Sequence, residues 1–152
     1  MTSSAKFTQL VVRIGYVGLT ASLFLLPYFL GKESVMQYNS YNSTWITVPF
    51  YCVAPAGYIA LVCIDMIMQN VKKENVFCSK IAKLLRIIVW CCFYAGCVGL
   101  ISFVLILALH KVAVIYILIL ALGEFFMALI CNVLKACFEA GNLIKEENDL
   151  TI

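Results

Sequence analysis

From Leu84 to Phe138 the chain is apolar almost throughout, and His110 and Lys111 interrupt it near the middle. One unbroken helix over that stretch would be about 80 Å long, while the hydrocarbon core of a bilayer is about 30 Å thick. The stretch therefore predicts two membrane-spanning helices, about 84–109 and 112–138, joined as a tight hairpin with His110 and Lys111 at its tip. Two further segments reach the roughly 20 residues a spanning helix needs. They lie at about 10–30 and 45–68.

Composition agrees. The 152 residues suffice for one compact domain, 64% of them are apolar and 12% are charged. A soluble domain is about 45–50% apolar. The expected fold is all-α: a polytopic four-helix transmembrane bundle forming a single domain over residues 1–152. The first apolar run exceeds a typical signal-peptide core and lacks an A-x-A-like cleavage site, so a retained helix is expected.

Orientation follows from the cations, because cytoplasmic loops of membrane proteins carry an excess of Lys and Arg. Lys72, Lys73, Lys80, Lys83 and Arg86 lie between the second and third helices, with Lys6 before the first and Lys135 and Lys145 toward the end. The opposite side holds only Lys32 and Lys111. Both termini are expected inside, in the bacterial cytoplasmic membrane. Tyr28, Tyr38, Tyr41 and Trp45 suit an aromatic belt at the outer surface. Asn42-Ser43-Thr44 in the outer loop has the form of a glycosylation sequon, a pattern common by chance.

The inner link, residues 70–84, begins polar and basic. From Ile81 the apolar residues recur at helical spacing through Leu84, Leu85 and Ile88, with Lys80, Lys83 and Arg86 between them. This predicts a short amphipathic helix on the inner interface that leads into the third helix, capped by Asn75 or Ser79.

Two stretches carry a family resemblance. One is Lys73-Glu74-Asn75-Val76-Phe77 followed by Lys80 to Ile88; the other is the tail Leu143 to Ile152, with its Glu147-Asn148-Asp149-Leu150-Thr151-Ile152 ending. Together they resemble a widespread bacterial family of small four-helix membrane proteins known only as a domain of unknown function. Members have a Gly/Lys-x-x-Phe turn before a basic amphipathic stretch and an acidic tail of this type. Many are encoded beside a small helix-turn-helix regulator, which implies a membrane component of a regulatory pair. The chain departs at Cys78, where many relatives carry a Ser or Thr that caps the next helix; here Ser79 is left for that role.

Glu124 is the most informative single residue. It lies about 20 Å from the hairpin tip by helical rise, near mid-bilayer. A carboxylate at that depth costs about 2.5–3.5 kcal/mol on the insertion scale. It is expected to face the bundle interior, as an ion, proton or ligand site or as a structural partner of Tyr58, Tyr94 or Thr20. Arg13 and Asp65 lie near the inner ends of antiparallel helices and could pair; otherwise Arg13 reaches the headgroups. Gly15, Gly18, Ala54, Gly57, Gly96 and Gly99 allow close helix approach, and Pro49 and Pro55 should bend the second helix.

The eight cysteines lie in or beside apolar runs, as small hydrophobes do, with no disulfide framework expected. No catalytic, metal-binding, phosphate-binding or C-x-x-C motif is present. The expectation is therefore a non-enzymatic chain without cofactor, metal or direct nucleic-acid contact. Its partners would be the bilayer, a regulator or another membrane protein, or a second copy. The candidate partner surface is Lys72, Lys73, Phe77, Lys80, Lys83 and Arg86 with the acidic tail 139–152, chiefly Glu146, Glu147 and Asp149. Opposite charges would let that tail dock on the link, with Leu150 and Ile152 adding apolar contact. The alternative is a small transporter, channel subunit or peptide-immunity protein centred on Glu124.

Overall fold

A computed structural model of the chain describes residues 3–36, 44–72, 79–110 and 115–149. All four segments are helices: α1 (Ser3–Met36), α2 (Thr44–Lys72), α3 (Ser79–His110) and α4 (Ile115–Asp149). Three of them, α2, α3 and α4, are long and apolar enough to cross a membrane. Among its described residues α1 contributes a shorter apolar run, Gln9–Leu25.

The bundle is open. Among the described residues, backbones approach closely only between chain neighbours: α1 on α2, α2 on α3, and α3 on α4. The packing devices differ from pair to pair, and each follows from residue size. Between α1 and α2, two glycines receive two leucines. Leu61 lies 3.1 Å from where a Cβ of Gly15 would stand, and Leu19 lies 3.5 Å from the equivalent point of Gly57. Tyr58 and Thr20 add a polar clasp with their hydroxyls 2.8 Å apart. Thr20 donates its own proton to the Tyr16 carbonyl at 2.7 Å, so Tyr58 is the donor between them.

A second tyrosine repairs a backbone defect. Pro27 lacks the N–H that would bond the carbonyl of Leu23 one turn earlier. The Tyr51 hydroxyl donates to that carbonyl at 2.6 Å. In an apolar surrounding an orphaned carbonyl is costly, and a side chain from the neighbouring helix is one of the few available partners. Both Pro49 and Pro55 lie inside α2, which continues through them.

A hydrophobic cluster lies where α3 packs against its chain neighbours α2 and α4. Cys63, Ile81, Leu85 and Ile88 form a buried cluster, with Ile64, Ile67, Cys131 and Phe138 against it. Ile81 and Ile106 are the largest side chains fully removed from the surface. Of the inner link, residues 79–84 are the first turns of α3, continuous with it, and residues 73–78 lie outside the described residues; Ile81 and Ala82 are buried there. Tertiary packing offers Ile81 more contacts than an interface would. The fourth helix likewise runs past Phe138 to Asp149, so the backbone of the acidic segment is helical over those residues. His110 is the last residue of α3, and Lys111 lies outside the described residues.

Candidate functional site: a basic end and a groove between α3 and α4

On each helix one charged residue bounds the uncharged stretch at the same end of the molecule. The stretches run from Arg13 on α1, up to Asp65 on α2, from Arg86 on α3 and up to Lys135 on α4, with Glu124 as the sole internal charge on α4. The antiparallel register agrees, since Gly15 meets Leu61 and Arg86 reaches Glu139. This end carries five described cations, Arg13, Lys80, Lys83, Arg86 and Lys135, against the carboxylates of Asp65 and Glu139. The first turn of α3 has no acidic residue. Lys80 and Lys83 therefore add to the positive end of the helix dipole instead of cancelling it.

The sequence candidates fare unequally. Lys80 and Lys83 are exposed on α3 and line a shallow surface depression with Met66, Gln69, Asn70 and Leu84. Arg86 is exposed, and its guanidinium stands 3.8 Å from Glu139. Lys135 approaches the same carboxylate at 3.7 Å from one turn away. Glu139 thus brings the acidic segment and the basic segment together at one point. Such exposed pairs contribute about 0–1 kcal/mol each, and Lys before Glu at this spacing is the weaker orientation. The side chains of Lys72, Glu146, Glu147 and Asp149 lie outside the described residues, as do Lys73, Phe77, Leu150 and Ile152 entirely.

Arg13 and Asp65 share a level without pairing. Asp65 accepts a hydrogen bond from Gln69 at 2.9 Å, and Arg13 is exposed. Glu124 is half-buried on α4. Its neighbour is none of the three expected hydroxyls: Thr20 and Tyr58 engage each other, and Tyr94 donates to the Cys52 carbonyl. Instead the Cys92 thiol of α3 lies near Glu124, and Cys131 lies near Cys92. The described cysteines are all free, and among the described residues no three metal-ligating side chains gather.

The structure adds one feature that sequence reading did not single out. Between α3 and α4 a groove of about 390 Å³ is lined by Arg86, Trp90 and Phe93 on one side and Leu129, Asn132 and Lys135 on the other. The signal was present as spacing. Arg86, Trp90 and Phe93 fall on one face of α3, and Asn132, Lys135 and Glu139 on one face of α4.

The whole architecture, with link and tail included, is covered by one family model, which matches residues 6–152. The chain belongs to the family described as Protein of unknown function (DUF2975). No curated protein and no solved structure matches it. The family description assigns no activity to this DUF2975 chain, so its chemistry has to be read from the basic end, the groove and Glu124.

Proposed function

We propose that this DUF2975 chain is a regulatory or accessory protein of the bacterial cytoplasmic membrane that works by binding a partner at its cytoplasmic face. The membrane placement is supported by the surface: Phe24, Trp90 and Leu120 are 76%, 69% and 68% exposed, far more apolar exposure than a water-soluble domain carries. The positive-inside rule puts the basic end, and with it both termini, in the cytoplasm. The observation that carries the binding reading is the set of exposed cations Lys80, Lys83 and Arg86 at the start of α3, of which, among the described residues, Arg86 has a carboxylate partner, Glu139, at 3.8 Å. Charges so arranged recruit an acidic surface and set its orientation. By family resemblance that surface belongs to a small helix-turn-helix regulator; another membrane protein or a second copy is the other candidate. Crosslinking in native membranes tests this. Wild type should capture a discrete partner, and Lys80→Glu with Lys83→Glu should abolish the capture while leaving the helices intact. Undiminished capture by the double variant would sink the reading.

A second reading has one observation behind it: the half-buried Glu124 between α3 and α4. If the chain moves ions or protons, Glu124→Gln should abolish flux in proteoliposomes. The binding reading expects partner capture by Glu124→Gln to match wild type, and capture lost with that change alone would favour the second reading.

A further inference from the structure

The groove between α3 and α4 changes character along its length. Its polar end is built from Arg86, Asn132 and Lys135, and its walls beyond are Val89, Phe93 and Leu129. The change falls where the uncharged stretches of both helices begin, at Ile87 and Leu134. From Ile87 to Leu109 the rise is about 35 Å, enough to cross the hydrocarbon. Arg86 and Lys135 therefore sit at headgroup level and the walls at acyl-chain level.

Charge narrows the occupant. The two cations share one carboxylate, Glu139, at 3.8 and 3.7 Å. Lys135 is drawn in, with its side chain 20% exposed, while Arg86 is 60% exposed. One positive charge is left over beside an exposed amide, and Trp90 adds an exposed indole of the kind that settles at headgroup depth. A free inorganic anion would make no use of the apolar walls. A neutral lipid would leave the surplus cation unmatched.

We infer that this groove holds one anionic phospholipid of the cytoplasmic leaflet. Its phosphate lies among Arg86, Asn132 and Lys135, and an acyl chain follows Val89, Phe93 and Leu129. The site goes beyond partner binding and does not require it, because the lipid reaches the groove from within the membrane.

Trp90 is a built-in reporter once Trp45→Phe removes the other tryptophan. That variant, purified and placed in phosphatidylcholine vesicles, is titrated with brominated phosphatidylglycerol or with brominated phosphatidylcholine. Trp90 emission should be half-quenched at an about five-fold lower mole fraction of the anionic lipid, the preference that one net cation gives. Adding Arg86→Gln and Lys135→Gln should erase the preference, and Lys135→Arg should keep it. Glu139→Gln removes no cation and should strengthen it by about another five-fold. Equal quenching by both lipids in the parent overturns the assignment. So does a preference that survives loss of both cations, or one that Glu139→Gln leaves unchanged. Should inorganic phosphate displace the brominated anionic lipid, the site takes a free anion and the lipid assignment falls. No partner protein is present, so failure here leaves the binding proposal standing.

Discussion

Truncating Ile81 to alanine is expected to destabilise the protein by about 2–5 kcal/mol, the range for deleting a buried aliphatic side chain where the site cannot collapse. Ile81 is 0% exposed. It lies at the basic end between Lys80 and Lys83, clustered with Cys63 of α2 and Leu85 and Ile88 of α3, and Phe138 of α4 packs against that cluster. Three helices lose contact at once, and none can close the gap without parting from another. Ile81 lies before Arg86, outside the uncharged stretch of α3, so the loss combines apolar transfer with dispersion contacts. Titration with SDS in mixed micelles, followed by far-UV circular dichroism, measures it. Ile101→Ala is the comparison, since Ile101 is 59% exposed and should shift the midpoint little. An Ile81→Ala shift no larger than that of Ile101→Ala would show that the cluster is not the stabilising core. The effect should also reach the proposed partner binding, because Lys80 and Lys83 flank Ile81.

What could be read in the sequence beforehand tracks the physics of each feature. Helix number and the hairpins followed from apolar length, a property each segment carries by itself. Burial of Ile81 did not, because helical periodicity from Ile81 to Ile88 says that one face is apolar and not whether lipid or protein covers it. The neighbour of Glu124 was missed for a related reason. Tyrosine and threonine are the stronger donors, but Thr20 and Tyr58 are satisfied together on α1 and α2, and α1 does not approach α4 among the described residues. In a closed bundle they could have met; in an open one the α3 thiol of Cys92 is what faces Glu124. The meeting of Glu139 with Arg86 was legible only as a tendency of opposite charges at one end. The pairing itself depends on the α3–α4 register, and two small residues mark a close approach of those helices.

Those two are Gly99 and Ala121, and Gly99→Leu is expected to cost about 1–3 kcal/mol through overpacking. A Cβ on Gly99 would stand 3.0 Å from the Ala121 Cβ and 3.6 Å from its Cα. Neither atom is the end of a flexible side chain, so the helices themselves must move apart. One turn toward the basic end, a Cβ on Gly96 would meet the Phe125 ring at 3.0 Å. That ring is already held edge-on by Phe93, with centroids 5.1 Å apart, so the strain has no easy outlet there either. Gly123→Leu is the matched control. Nothing lies within 4 Å of its would-be Cβ, and replacing a helical glycine there should gain up to about 1 kcal/mol of helix propensity. The SDS midpoint should therefore fall for Gly99→Leu and hold or rise for Gly123→Leu; equal shifts would sink the close-approach account. Separation of α3 from α4 also predicts a specific loss. Arg86 reaches Glu139 across the α3–α4 contact, whereas Lys135 pairs with Glu139 within α4, so parting the helices takes Arg86 away from the other two. In Gly99→Leu, the Trp90 preference for anionic lipid should weaken even in the fraction that remains folded.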